Sequence, residues 1–160
     1  MLKIEVIAIG KLKEDYLRAA CGEYSKRLGA FCSFSVTELK EYKLPDNPSL
    51  AQIEKCIQEE GREILSRLPK GCALITLCIE GQMLSSPQLA AQLEELAAQG
   101  SSHVVLVIGG SYGLSEEVKS KSKLRLSMSR MTFPHQLARV MLMEQLYRAC
   151  AITAGTKYHK

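Results

Sequence analysis

The chain has 160 residues, 46% of them hydrophobic and 24% charged, with a formal net charge of +4. That describes a globular protein of one domain spanning 1–160, long enough to bury roughly 70% of its unfolded surface without staples. No apolar run reaches membrane-spanning length and the first residues lack a signal-peptide pattern, so a cytoplasmic protein with no membrane partner is expected. The cysteines at 21, 32, 56, 72, 78 and 150 form no CxxC pair and have no histidine at zinc-ligand spacing, which reads as reduced core residues and no metal.

In chain order, residues 2–9 alternate as a strand ending at Gly10. Residues 14–28 place Tyr16, Leu17, Ala20, Tyr24 and Leu28 at helical spacing, with Gly29 beyond the end. Residues 31–39 alternate as a second strand, and Pro45 and Pro48 mark a loop over 40–48. Ser49 caps a helix to about Leu68, with Gln52 three residues later to close a capping box. The apolar run Cys72 to Ile79 reads as a strand covered on both faces. Ser86-Pro87 opens a helix to about Gln99, and a strand follows over 103–108. Ser115 caps a short helix with Glu116 and Glu117 in its first turn. Residues 124–128 suit a final strand, and Pro134 opens a last helix to about Thr153, with Gly155 at its end. Strands alternating with helices predict an α/β layered, largely parallel sheet.

Charge is divided along the chain. From Lys119 to the end there are nine Lys/Arg and one acid, Glu144, whereas the preceding part carries a net negative charge. A basic face on a neutral-to-acidic body suits a polyanion. The strand Val104–Ile108 runs into Gly109-Gly110-Ser111-Tyr112-Gly113, a turn that permits close backbone approach to a small ligand or serves only as a tight connection. It is neither GxGxxG nor GxxxxGK[ST], and this disfavours a nicotinamide oxidoreductase or a P-loop enzyme. A small-ligand site beside a polyanion site points to an enzyme acting on nucleic acid.

Four further features bear on chemistry. The polar loop Leu126–His135 offers amides and hydroxyls for an adenosine-like group, or is a solvated connector. His135 opens the last helix, where the dipole disfavours its protonated form; it is a neutral hydrogen-bonding group or a surface residue. Glu144 pairs with Arg148 four residues on, or acts as a buried carboxylate that orients Arg148 or a substrate. The terminal Lys157-Tyr158-His159-Lys160 combines a stacking ring, an imidazole and phosphate-binding lysines, the composition of an RNA contact. The last helix itself, with Leu137, Val140, Met141, Leu142, Met143, Leu146 and Tyr147, is apolar around most of its girth; a homodimer interface is favoured over adaptable core.

The strings VIGGSYGLSEEV and LSMSRMTFPHQLARVMLMEQLYRA and the terminal YHK closely resemble the bacterial large-subunit ribosomal RNA pseudouridine N3-methyltransferases of the SPOUT class. Gly10-Lys11-Leu12-Lys13 and Gln82-Met83-Leu84-Ser85-Ser86 are similar too, and the resemblance spans the chain. It implies a Rossmann-like sheet with a deep C-terminal trefoil knot, a homodimer, and S-adenosylmethionine as cofactor. Carried over residue by residue, it implies cofactor contacts from Leu77, Gly109, Met128, Ser129, Arg130, Met131, Thr132 and Phe133. The implied target is a pseudouridine of 23S rRNA within the ribosome. Tyr158, His159, Glu144 and His135 are then the candidate bases or orienting groups, and Arg139, Arg148, Lys157 and Lys160 the candidate RNA contacts. A SPOUT methyltransferase for another RNA and a non-catalytic ribosome-associated protein are the alternatives.

Overall fold

A computed structural model describes residues 1–160. Ten elements alternate along it: β1 (Lys3–Ile9), α1 (Asp15–Leu28), β2 (Ser33–Leu39), α2 (Leu50–Arg67), β3 (Ala73–Met83), α3 (Ser86–Ala98), β4 (His103–Ile108), α4 (Glu116–Ser120), β5 (Leu124–Ser127) and α5 (His135–Thr153). The five strands form one sheet in the order β2-β1-β4-β3-β5, and every pairing is parallel. The α/β class with a parallel sheet, expected from the alternation of elements, is what the chain adopts.

The period of two along each inner strand feeds two cores. Ile4, Val6, Ala8, Val104 and Leu106 pack with Leu28 of α1, Leu89 and Leu93 of α3, and Leu142 and Leu146 of α5. Ile7, Ile9, Val105 and Val107 pack on the opposite side with Ile64 of α2 and Val118 of α4. Helices α1, α3 and α5 thus cover one face, and α2 and α4 the other. Near-continuous apolar runs in β1 and β4 follow, since neither face meets water. The edge strand β2 buries only Leu39, which is why its sequence is largely polar.

Local signals set most element boundaries. The Ser49 hydroxyl accepts the Gln52 N–H while the Gln52 side chain accepts the Ser49 N–H, and Ser85 with Gln88 repeats the arrangement at α3. Two boundaries depart from the expectation. β2 begins at Ser33, because Phe31 stacks on Tyr147 of α5 instead of extending the strand. β3 continues to Met83: Ile75–Leu77 pair with Leu124–Leu126, and then Gln82 and Met83 pair with Leu126 and Ser127. The intervening Cys78–Gly81 arches away. A Cβ at Gly81 would lie 2.6 Å from the Arg125 carbonyl oxygen, so only glycine lets the two backbones meet so closely.

Helix α5 is wedged between α1 and α3, with Leu142, Met143, Leu146, Ala149 and Ala151 buried in the single chain. Much of its apolar girth is therefore intramolecular core, which is the adaptable-core alternative to a dimer face. No helix is long and apolar enough to cross a membrane. All six cysteines are free, four of them buried.

Candidate functional site

β3 passes the chain to α3 on one face of the sheet and its neighbour β4 passes it to α4 on the other, which opens a crevice at the C-terminal strand ends. A cavity of about 880 Å³ occupies this position. Its walls are the β3 arch, the turn after β4 and the loop after β5. Gly113 closes the turn at φ +85° and donates its N–H to Gly110 at 3.1 Å. A Cβ on Gly109 would lie 2.9 Å from the Gly113 carbonyl carbon, so the fold of the turn requires glycine there. In the facing loop the Ser127 hydroxyl donates to the Ser129 carbonyl, and the Ser129 hydroxyl accepts the Met131 N–H, at 3.0 Å each. Lys119 reaches Glu80 at 2.6 Å on the rim; that hydrogen bond holds the Glu80 carboxyl below and the Lys119 ammonium above their ordinary values.

Leu77, Gly109, Met128, Ser129, Met131, Thr132 and Phe133 line this cavity, so the residues proposed for the cofactor converge on one place. Arg130 is exposed and stands outside the wall. His135 lines the same cavity with Ala138 of α5. Apolar side chains, free backbone around glycines and a narrow loop of serines fit the adenosine and methionine portions of S-adenosylmethionine.

The other candidate residues form a second group at the far end of α5. Arg148 donates to Glu144 Oε1 through Nη2 at 2.6 Å and Nε at 3.1 Å. The chain after α5 folds back, and Tyr158 Oη donates to Glu144 Oε1 at 3.0 Å. The Arg148 guanidinium stacks 4.7 Å from the Tyr158 ring centroid, and its Nη1 lies 3.2 Å from His159 Nδ1. Tyr147 meets Tyr158 edge-on at 4.7 Å. Burial, then the hydrogen bond to Glu144, raises the Tyr158 phenol above its ordinary value; Arg148 is raised by its bond to Glu144. The expected i,i+4 pair between Glu144 and Arg148 forms, and it is half-buried. Lys157 and Lys160 are exposed and make no ion pair.

Arg139 is a correction to the expected RNA contacts. Its side chain is only 3% exposed, ion-paired with Glu38 at 2.6 Å and donating to the Gly10 carbonyl at 3.0 Å. A guanidinium so enclosed ties α5 to the ends of β1 and β2 and does not face a phosphate. Its charge was legible in the sequence; its burial came from the packing of α5 on α1, which sets Arg139 beside Glu38 and Gly10.

Sequence reasoning also missed a second cavity of about 890 Å³, which lies at the ends of β1 and β2. Ser111 and Tyr112 line both cavities. Glu60, 6% exposed, lies within its lining, accepts the Tyr42 N–H at 3.1 Å, and has Oε1 3.0 Å from where a Gly110 Cβ would be. Cys56, Glu60 and Ile64 share the buried stripe of α2 at a spacing of four, and a carboxylate in that stripe is the signal that would have found it.

The family model described as "Predicted SPOUT methyltransferase" matches residues 2–159. Curated relatives cover nearly the whole chain. "Ribosomal RNA large subunit methyltransferase H" of Clostridium novyi is 47% identical over 159 residues, 99% of this chain and 100% of the relative. The proteins of the same name from Pelotomaculum thermopropionicum and Bifidobacterium adolescentis are 48% and 45% identical, each over 99% of this chain and over 99% and 100% of their own lengths. With a family model matched over residues 2–159 and relatives 45–48% identical over nearly its whole length, the chain belongs to the SPOUT methyltransferase family.

Proposed function

We propose that the protein is an S-adenosylmethionine-dependent methyltransferase that acts on N3 of a pseudouridine in 23S rRNA, working in the cytoplasm on the ribosome. The observation that carries this reading is the cavity walled by Leu77, Gly109, Met128, Ser129 and Met131–Phe133, in a chain 45–48% identical to relatives named as large-subunit rRNA methyltransferases. S-adenosylmethionine, when bound, supplies an activated methyl group on a sulfonium. Leu77, Met128, Met131 and Phe133 would hold its apolar parts, and the turn at Gly109 would offer it backbone groups.

The protein residues have two further tasks. They fix the imide nitrogen in position, because orientation supplies a large share of such an acceleration. They also stabilise the anion left when N3 loses its proton. Arg148 and His159, held in place around Glu144 with Tyr158, form a preorganised set of donors for the second task. That set lies with Glu144, about 13 Å along the helix axis from His135 at the cofactor cavity. A homodimer resolves the separation: the tail of one subunit completes the cavity of the other. Leu137 on α5 and Ile79 and Met131 at the cavity mouth are 40%, 54% and 73% exposed, apolar surface that a second copy would cover. The trefoil knot belongs to this reading, and the close seating of β5 in the bend of β3 at Gly81 supports it.

The test is tritium transfer from S-adenosylmethionine to ribosomes from cells lacking this gene, with separate subunits and free RNA in parallel. Label mapped to a pseudouridine of the large-subunit RNA is expected. Absence of label from a folded, cofactor-binding protein would overturn the reading.

A further inference from the structure

The second cavity is unused by the cofactor assignment, and its chemistry differs from that of the first. Lys11, Lys40 and Lys43 stand exposed around it, and none of them is in an ion pair. Of the acids in its lining, Glu38 is neutralised by Arg139 and Glu60 is buried, which leaves the exposed Glu41 against three lysines. Tyr112, 47% exposed, stands on the boundary with the cofactor cavity, and Tyr42 is half-buried on the other side. Between them is Glu60, more than nine-tenths buried, with Oε2 taking the Tyr42 N–H and Oε1 beside Gly110. Free lysines, aromatic faces and one buried hydrogen-bonding carboxyl are what an unstacked nucleotide of single-stranded RNA requires: phosphate contacts, stacking, and an edge to read.

Resting on the proposed methyltransferase reading, we propose that this cavity receives a pyrimidine nucleotide of the RNA substrate, its phosphates on Lys11, Lys40 and Lys43, its base against Tyr112 and its polar edge on Glu60. Ser111 and Tyr112 line both cavities, so a base seated here would neighbour a methyl donor bound in the first. The Gly10-Lys11 turn acquires a role by this assignment. Arg139 does too, as a positioning residue, because it holds the Gly10 carbonyl and Glu38 at the cavity edge.

The test is titration of the isotope-labelled full-length protein with uridine 5′-monophosphate, followed by amide shifts, with the cofactor cavity filled beforehand by S-adenosylhomocysteine. Saturable shifts at Tyr42, Glu60 and Tyr112 are expected. The surface variant K40Q/K43Q should lose them. Tyr112→Ala should weaken binding about fivefold or more, the low end of what an aromatic platform contributes. Shifts confined to the region around Tyr158, or none that saturate, would overturn the assignment. Inorganic phosphate alone reproducing the whole pattern would reduce the cavity to an anion site and overturn it equally. Nucleotide binding is read without methyl transfer, so failure here and failure to label the large-subunit RNA are separate results.

Discussion

Replacing Gly81 by alanine tests whether the close meeting of β3 and β5 holds the cofactor cavity together. The added methyl would lie 2.6 Å from the Arg125 carbonyl oxygen, 2.8 Å from its carbon and 2.9 Å from the Leu126 carbonyl carbon. All three are backbone atoms of β5, so no flexible side chain can swing aside. Forcing a methyl into such a contact costs about 1–3 kcal/mol. For a chain of this size each kcal/mol lowers Tm by roughly 2–4 °C, which gives a loss of about 2–12 °C. The relaxation must also move Leu77–Glu80 or Leu126–Met128, both walls of the cavity, so affinity for S-adenosylmethionine should fall with stability. Gly22→Ala is the matched control. Gly22 is in the middle of α1, exposed, with nothing within 4 Å of its added Cβ, and alanine there should stabilise by about 0.5–1 kcal/mol. Thermal unfolding by circular dichroism and calorimetric titration of the cofactor read both. Equal melting of G81A and the parent protein, with unchanged cofactor affinity, would refute the reasoning.

Deleting Tyr158–Lys160 should abolish methyl transfer and leave cofactor binding within about twofold, since none of the three deleted residues lines the cofactor cavity; full activity of the truncated protein would remove the tail from the mechanism. Arg139→Met should cost about 1–3 kcal/mol by denaturant unfolding, through two lost hydrogen bonds, and should leave the salt slope of RNA binding unchanged. Burial raises the Glu60 carboxyl above its ordinary value, so the folded state holds this proton more tightly than the unfolded chain. Stability conferred by the neutral form is then present below the unfolded carboxylate range and declines as pH rises through the folded value. Glu60→Gln keeps an acceptor for the Tyr42 N–H and removes the titration, so its stability relative to the parent should rise from pH 4 to pH 7, measured by paired urea midpoints; a constant difference would contradict the sign.

What was legible in the sequence was local. Ser49 with Gln52, Pro87 in a first turn, Ser115 at a cap and the period-two apolar runs each act within a few residues, and every element appears, with only the start of β2 and the end of β3 displaced. The strand order is set by which helices can cover which faces, and no short stretch of chain carries that information. The arm of β3 beyond Ile79 is polar and contains glycine, so it reads as a strand end; its pairing with β5 exists because Gly81 permits the contact. Charge counting found the basic tail but could not separate Arg139, enclosed by Glu38 and Gly10, from Lys157 and Lys160 on the surface. The cofactor walls were legible only through resemblance, since the two lining segments after β4 and β5 meet by topology.

The tail cluster also constrains which group removes the N3 proton under the proposed reading. Tyr158 is held above its ordinary value and donates to Glu144, so at neutral pH it offers a proton instead of accepting one. The oxygens of Glu144 are occupied by Arg148, Tyr158 and Gln145, which leaves little basic capacity. An arginine can only donate, so the His159 Nδ1 that faces Arg148 Nη1 must accept, and the ring hydrogen is on Nε2. Tyr158 gives its only hydrogen to Glu144, so the outward donors of the cluster are the remaining Arg148 N–H groups and the His159 Nε2–H. Such a cluster suits a developing imide anion and its carbonyl oxygens, not the uptake of a proton. The tail is then an electrostatic clamp, and the proton leaves toward the other side of the base, where His135 lines the cofactor cavity. Replacing His159 by glutamine, which can keep an acceptor toward Arg148 and a donor outward, should retain most activity, whereas His135→Gln should lower kcat by about a hundredfold or more, the low end of what a positioned base contributes. The reverse pattern would place the base in the tail.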